Sequence, residues 1–163
     1  MCLDNINANI LCYKNKDYLS DVDLIKTLPL KKDGKGKYID DFKLKIFFNF
    51  LSNNDELKKQ MNVLDRRGYL ICSVELEKVC NDSDNLFLPL VDFEIDLTDN
   101  EDFYLNLNYN IRCNVPIYLP KGREAGNYVL NLMLKRKIND FEDKEWTLQS
   151  IYGIQIVDNL ENI

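Results

Sequence analysis

Apolar residues recur at every second position along most of this chain, and no other feature constrains its fold as strongly. Successive side chains of a β-strand point to opposite faces, so a period of two predicts strands with one buried face. Short polar turns, several of them with glycine, separate the alternating stretches. The clearest alternation runs through residues 42–50, 69–77, 86–97, 103–112 and 128–134.

Strands of this kind joined by tight turns predict an all-β fold. We expect a single two-layer antiparallel β-sandwich of about eight strands, with at most one short helix. Residues 52–68 leave two structures open, a helix with one apolar face or a hairpin that ends in a tight turn. No linker or repeat divides the sequence. Residues 1–163 are therefore expected to form one domain, or residues 1–41 an irregular extension packed on it.

Two further strands are predicted towards the C-terminal end of the sequence. A short strand at 115–119 contains Pro116, which cannot donate to a strand ladder and therefore favours an edge position. The final strand is predicted over residues 145–157, with a bend at Gly153 before Ile154 and Ile156. Its alternation places four side chains on one side: Trp146, Leu148, Ser150 and Tyr152.

The charge balance of the chain is acidic, with a net charge of −6 over 163 residues. A nucleic-acid partner requires a basic stripe, so we expect no nucleic acid. The longest apolar run, residues 46–51, is too short to cross a bilayer, so we expect no membrane partner. Asparagine is abundant and Lys outnumbers Arg, a bias that indicates a bacterial or phage source.

The five cysteines are an odd number and include no Cys-x-x-Cys pair. Cys72 and Cys113 fall on the apolar side of alternating segments, which predicts reduced thiols that pack as small hydrophobic side chains. Reduced thiols are typical of the cytoplasm, and residues 1–13 show no secretion signal. We therefore expect a cytoplasmic protein, with a disulfide framework as the alternative.

The sequence contains no histidine. This excludes Ser-His-Asp and Cys-His nucleophilic sites and nearly all catalytic zinc sites. No glycine-rich cofactor loop is present, so no cofactor and no catalytic residue are assigned. The sequence favours a non-catalytic module that binds an unidentified protein partner, with a homo-oligomer also open. A calcium- or carbohydrate-binding sandwich is the first alternative, and a carboxylate-based hydrolase is the second.

The closing segments, residues 125–134 and 146–157, resemble the last hairpin of immunoglobulin-like or C2-like sandwiches. There a Gly-x-Tyr opens a strand of alternating aliphatic residues, as Gly126-Asn127-Tyr128 does here, and a final strand returns beside it. The Asp65-Arg66-Arg67-Gly68 turn is similar to an early hairpin of the same modules. The resemblance covers residues 42–157 and implies a sandwich fold. It lacks the paired cysteines of antibody domains, and it implies no activity.

One strand presents an unusual polar row and is the candidate binding face. Amides and an aromatic ring on a flat sheet suit a protein surface or a sugar, with Tyr104 and Arg112 as anchors. The alternative is an exposed face rich in Asn because of the genome's composition. The row consists of Tyr104, Asn106, Asn108, Asn110 and Arg112.

Acidic turns offer a calcium alternative. Calcium needs six to eight oxygen ligands, and neighbouring loops of a sandwich often supply them. The alternative ligand set is Asp82, Asp84, Asp99 and Asp102. The competing interpretation is a solvated acidic surface, because no Asp-x-Asp-x-Asp-Gly spacing is present.

Two further patterns have weaker support. Carboxylates two apart on a strand lie on one face about 7 Å apart, a separation used by inverting glycosidases. Asp92 with Glu94, or Glu75 with Glu77, would form such a pair. Residues 31–37 are rich in Lys and Gly but lack the spacing of a phosphate-binding loop, so they predict a flexible surface loop.

Overall fold

Strands dominate the part of the chain that the structure, a computed structural model, describes. The described residues are 6–13, 25–40, 42–50, 68–79, 86–96, 106–113, 116–138 and 141–158, and no helix occurs among them. The first six strands are β1 (Ile6–Tyr13), β2 (Thr27–Asp33), β3 (Gly36–Ile39), β4 (Lys43–Phe50), β5 (Gly68–Lys78) and β6 (Phe87–Asp96). The other five are β7 (Asn106–Arg112), β8 (Ile117–Tyr118), β9 (Gly126–Ile138), β10 (Phe141–Glu142) and β11 (Thr147–Asp158).

These strands form two sheets, which confirms the predicted all-β sandwich. The smaller sheet has the antiparallel order β1-β4-β7. The larger sheet has the order β6-β5-β9-β11-β2-β3-β8, with β10 paired to β9, and it curls into half a barrel. Its pairs are antiparallel except β11 with β2, which run parallel.

The core lies between the two sheets and follows the predicted alternation. From the larger sheet, β5 and β9 contribute inward-facing residues at every second position, among them Leu70, Val74, Leu130 and Leu132. Inward-facing Ile46 and Phe48 of β4 come from the smaller sheet. Tyr109 of β7 also links the layers, because its ring packs edge-on against Phe48 and at a tilt of 36° against Phe93 of β6. The core therefore needs both sheets.

The turn before β9 is tied to the core by one tyrosine. Gly126 opens the strand with a φ of +142°, a backbone conformation that residues other than glycine rarely adopt. Two residues later, the fully buried Tyr128 directs its hydroxyl back to the turn, where it donates to the carbonyl oxygens of Arg123 and Glu124. Side-chain to backbone bonds of this kind fix the path of a turn relative to the strand that follows.

The last strand differs from its prediction. β11 continues through Gly153 without a bend, and its register against β9 shifts between Leu148 and Ser150. A β-bulge of this kind places two residues opposite one, so Gln149 is the extra residue and the alternation changes phase there. Leu148 lies opposite Met133 on the outer face, whereas Ser150 lies opposite Leu132 on the inner face. The prediction of one shared side for Trp146, Leu148, Ser150 and Tyr152 was therefore wrong.

Residues 31–37 also differ from the predicted loop. They are the facing ends of β2 and β3, joined by a two-residue turn at Gly34 and Lys35. Gly36 follows the turn with a φ of +133°, which explains the glycine at this position. Pro116 precedes β8, which is the edge strand of the larger sheet, as predicted. The ambiguous stretch 52–68 lies outside the described residues up to Gly68, where β5 begins.

The phase change in β11 leads to a matched test. Leu132 is 0 % exposed and Leu148 is 52 % exposed, so the same substitution should have very different effects at the two positions. Leu132→Ala should reduce the free energy of unfolding by about 2–5 kcal/mol through loss of burial and a residual cavity. Leu148→Ala should reduce it by less than about 1 kcal/mol. Urea unfolding monitored by circular dichroism measures both, and equal losses would place Leu148 in the core.

Candidate functional site

Two residues of the predicted binding row lie on the outer face of the smaller sheet. Asn110 and Arg112 of β7 are exposed there, and Asn106 and Asn108 belong to the same strand. Nothing further is described of the Asn106 and Asn108 side chains, and Tyr104 lies outside the described residues. The structure therefore places four of the five residues on one edge strand, and their role in binding stays a prediction.

The neighbouring strands add cations to this row. Lys43 of β4 pairs in register with Arg112, and Lys45 pairs with Asn110. The ammonium of Lys45 lies 5.0 Å from the centre of the half-buried Phe47 ring. Across β4, Leu11 of β1 faces Lys45. At the outward positions of these three strands the sequence has no carboxylate. We call the five residues Leu11, Lys43, Lys45, Phe47 and Arg112 the basic face.

The outer face of the larger sheet carries a row of exposed apolar side chains along β11 and at Trp146, the residue just before it. Trp146 is 37 % exposed, Leu148 is 52 % exposed and Ile151 is 58 % exposed. The register sets Leu148 beside Met133 and Ile151 beside Asn131, two successive outward residues of β9. Outward neighbours on a strand are about 7 Å apart, so these side chains form a continuous surface. We call Trp146, Leu148, Ile151 and Met133 the apolar stripe.

An open groove of about 410 Å³ begins at the Trp146 end of the apolar stripe. The ammonium of Lys135 lies 4.3 Å from the centre of the Trp146 ring and 2.7 Å from the carboxylate of Glu142. Lys137 lies 3.8 Å from the carboxylate of Glu94 on the far side of the groove. The groove thus combines an aromatic floor with charges of both signs, which suits a polar or aromatic group of a ligand.

The Arg136–Asp143 ion pair holds the turn between β9 and β11. Arg136 donates from Nε to Oδ2 and from Nη2 to Oδ1 of Asp143, both at 2.8 Å, and its backbone N–H also donates to Oδ2 at 3.0 Å. Both side chains are mostly buried. The hydrogen bonds from Arg136 lower the pKa of the Asp143 carboxyl below its ordinary value. A two-bond pair of this geometry fixes orientation as well as distance.

The predicted carboxylate pairs border the apolar stripe on the same outer face. Asn131, which is only 5 % exposed, donates its amide to Glu77 at 2.8 Å and to Glu75 at 3.5 Å. Asp92 and Glu94 occupy the next strand, β6, opposite Ser73 and Ile71 of β5. The two pairs therefore form an acidic border (Glu75, Glu77, Asp92 and Glu94) beside the stripe.

Two of the four lysines of the β2–β3 hairpin form ion pairs with carboxylates. Lys31 forms an ion pair with Asp40, and Lys37 lies 2.9 Å from the Asp158 carboxylate. Asp33 accepts hydrogen bonds from the Tyr118 hydroxyl at 2.5 Å and from the Lys35 backbone at 2.7 Å. The bond to Asp33 raises the pKa of Tyr118 to about 12. These contacts tie the hairpin to the rest of the sheet.

The proposed calcium ligands Asp82, Asp84, Asp99 and Asp102 all lie outside the described residues. Within the described ranges, no three His, Cys, Asp or Glu side chains are grouped so as to hold a metal ion. The same ranges also contain no helix that is long and apolar enough to span a membrane.

Three of the five cysteines are described, and all three are buried in the core. Cys12, Cys72 and Cys113 are thiols, and the burial of Cys72 and Cys113 agrees with their predicted packing as small hydrophobic side chains. Burial, with a smaller effect from Cys113, raises the pKa of Cys12 to about 12. Burial also raises the pKa of Cys72. A buried thiol with a raised pKa is a poor nucleophile, so Cys12 and Cys72 serve as core side chains.

Comparison with known proteins gives no family for this chain. No protein-family model matches it, and no curated protein matches it. Among solved structures, an alkylpurine DNA glycosylase from Pseudomonas fluorescens bound to abasic-site DNA is 8% identical with a TM-score of 0.40. The alignment covers 93% of this chain but 30% of the glycosylase chain.

A second structure, the CooA pilin subunit from enterotoxigenic Escherichia coli, is 12% identical with a TM-score of 0.32. That alignment covers 93% of this chain and 99% of the pilin. Both TM-scores lie below the level at which a likeness supports an inference, so the functional argument rests on the residues alone.

The apolar stripe was missed by the sequence interpretation for one reason. An uninterrupted alternation assigned Leu148 to the same side as the inward Tyr152, and the bulge at Gln149 reverses that assignment. A weak signal was available, because Ile151 lies between inward-facing residues and so falls on the outer face. An isolated apolar residue at an exposed position is common, however, and gives little reason to expect a site.

The Arg136–Asp143 pair generates a pH-dependent prediction. Asp143→Asn should reduce the free energy of unfolding by about 1–2 kcal/mol at about pH 7, because charge-assisted hydrogen bonds are lost. The folded-state pKa of Asp143 is below its ordinary value. Its contribution is therefore present above the unfolded pKa and is lost as the pH falls through the folded pKa.

Urea unfolding of the wild type and Asp143→Asn at about pH 7 and about pH 3 measures this difference. Glu142→Gln is the control, since its carboxylate is 44 % exposed and should contribute less than Asp143. A constant difference between wild type and Asp143→Asn at both pH values would contradict the assigned role of the ion pair.

Proposed function

We propose that this chain is a non-catalytic, protein-binding β-sandwich module whose partner contacts the apolar stripe. The observation that carries the proposal is the exposure of Trp146, Leu148 and Ile151, which lie close together in sequence on the outer face of the larger sheet. Soluble proteins seldom leave large apolar side chains together in water, and contiguous apolar surface marks interaction sites.

The surroundings of the apolar stripe support a protein partner. Interfaces combine an apolar centre, enriched in Trp and Met, with a charged rim. Here Lys135 and Lys137 flank one end of the apolar stripe, and the acidic border flanks its side. The groove beside Trp146 would accept one side chain of the partner, because binding energy concentrates where an anchor enters a pocket.

The remaining parts of the proposal rest on the sequence and on one contact of Tyr128. The absence of histidine favours binding over catalysis. The hydroxyl of Tyr128, bonded to the carbonyls of Arg123 and Glu124, resembles the tyrosine corner of immunoglobulin-like sandwiches and supports that likeness. We retain a bacterial or phage source, a cytoplasmic location, and the absence of nucleic-acid, membrane and cofactor ligands as parts of the same proposal.

The test is capture of partners from a lysate of the source organism. Leu148→Asp and Ile151→Asp each place a charge in the apolar stripe and should weaken capture at least about thirtyfold, the loss expected for a central interface residue. Because both positions are exposed, each variant should lose less than about 1 kcal/mol of stability. Quantitative mass spectrometry of the captured proteins and thermal unfolding provide the measurements.

The matched control is Gln155→Asp. Gln155 is exposed on the same face of β11, beyond the apolar stripe, so this variant introduces the same charge on the same strand. It should capture the partner as well as the wild type does. Equal capture by Leu148→Asp, Ile151→Asp and the wild type would reject the apolar stripe as the binding surface.

A further inference from the structure

The two lysines of the groove beside Trp146 already have acidic partners, whereas one carboxylate of the groove has no basic partner. Three carboxylates and two lysines line the groove. Lys135 lies 2.7 Å from Glu142, and Lys137 lies 3.8 Å from Glu94. Within the described residues, the third carboxylate, Asp92, forms neither a hydrogen bond nor an ion pair. The groove therefore has one negative charge to offer a ligand.

A buried hydroxyl lies directly beside Asp92. Ser73 of β5 is the cross-strand partner of Asp92, a position that places the two side chains about 5 Å apart. It faces outward, because its neighbours Cys72 and Val74 point into the core, yet it is only 8 % exposed. Its hydroxyl forms no hydrogen bond within the part of the chain that the structure describes. A buried hydroxyl in this state is unfavourable, so a ligand that supplies a hydrogen bond would be stabilised there.

These two acceptors suit an arginine side chain. A guanidinium has five N–H donors in one plane, so it can bind a carboxylate through two parallel bonds and still donate to a second acceptor. At this site the two parallel bonds would go to Asp92 and the further bond to the oxygen of Ser73. The half-buried Ile71 lines the same groove and is the next outward residue of β5, about 7 Å from Ser73. It would contact the aliphatic part of the arginine.

A single row of side chains connects Asp92 with the apolar stripe. Ser73 pairs in register with Met133 of β9, and Met133 pairs with Leu148 of β11. Four neighbouring strands thus place these four residues side by side. Neighbouring strands are about 4.8 Å apart, so Asp92 lies about 14 Å from Leu148. One segment of a partner can therefore reach both.

We propose that the partner of the apolar stripe inserts an arginine between Asp92, Ser73 and Ile71. The inference rests on the proposed function, because it names the chemistry of the protein that covers the apolar stripe. The net charge of −6 attracts a basic segment at long range. The partner's arginine then lies about 14 Å from the side chain that covers Leu148, a distance of about four residues in an extended segment.

A selection of peptides tests this chemistry without knowledge of the partner. Random peptides of about twelve residues, displayed on phage and selected on the wild type, should be enriched in arginine followed by an apolar residue about four positions later. The same selection on Asp92→Asn should lose the arginine. Selected sequences without arginine, or no enrichment at all, would overturn the inference.

Trp146 provides the second measurement, because it is the only tryptophan of the chain and lines the groove. A selected peptide, synthesised with capped ends, is titrated by tryptophan fluorescence. Replacing its arginine with citrulline, which has nearly the same shape and no charge, should weaken binding to the wild type at least about tenfold. With Asp92→Asn the same replacement should weaken binding less than about twofold, since the charge that the arginine would meet is gone.

Variants of the protein separate a direct contact from a general effect of charge. Ser73→Ala should weaken peptide binding about threefold or more, while the midpoint of thermal unfolding changes by less than about 2 °C, because its hydroxyl has no bond to lose. Glu145→Gln is the matched control, since it removes an exposed charge next to Trp146 but outside the groove. It should bind the peptide as the wild type does. Equal weakening by Glu145→Gln and Asp92→Asn would contradict the assigned contact.

The outcomes separate this inference from the proposed function. If Leu148→Asp loses capture of a lysate protein while Asp92→Asn captures it as the wild type does, the inference is overturned and the proposed function stands. If neither variant loses capture, the proposed function fails as well. Displacement of the selected peptide by calcium at about 1 mM and constant ionic strength would assign the position beside Asp92 to a metal ion, and the arginine would be rejected.

Discussion

The pairing of β5 with β9 is the constraint on which the rest of the structure depends. All eleven residues of β5 are matched to β9 without a slip. Three alternate pairs at the centre are apolar and buried on both strands: Cys72 with Leu134, Val74 with Leu132, and Leu76 with Leu130. If the register shifted by one residue, Leu70, Cys72, Val74 and Leu76 would move from the core face to the solvent face. The burial of these side chains therefore fixes the register. β6, β10 and β11 are then placed by pairing with one of these two strands. The curvature of this central pair also sets the surface against which the smaller sheet packs.

Alternation in the sequence was sufficient to predict the strands whose pairing is regular. β4, β5, β6 and β9 occupy nearly the predicted ranges, and Asn110 and Arg112 of β7 are exposed as expected. The period of two contains this information because each residue belongs to one face. The alternation does not reveal which strands pair with each other. Neither the sheet order nor the parallel β11–β2 pair could therefore be predicted from it.

The candidate site was harder to predict than the fold, for a physical reason. The exposure of Trp146 and Leu148 depends on a bulge, and a bulge is defined by two residues opposing one on the partner strand. The sequence of β11 alone does not reveal this count. Asn131 shows the same limit in reverse, since it lies on the outer face yet is only 5 % exposed. The side chains of Glu75 and Glu77 on the adjacent strand accept its amide hydrogens and cover it.

The bulge at Gln149 divides β11 into two segments in which the alternation of inward and outward side chains has opposite phase. Residues after it, such as Ile154 and Ile156, are fixed by the core and can change only with their inward neighbours. Before it the phase is opposite, so Thr147 lies opposite the buried Leu134 while Leu148 faces outward, and substitution of Leu148 does not alter core packing. The one inserted residue reverses, on one side of the bulge, which face of the sheet each side chain occupies. The surface at Trp146 and Leu148 is therefore free to diverge in sequence while the sandwich beneath it stays the same.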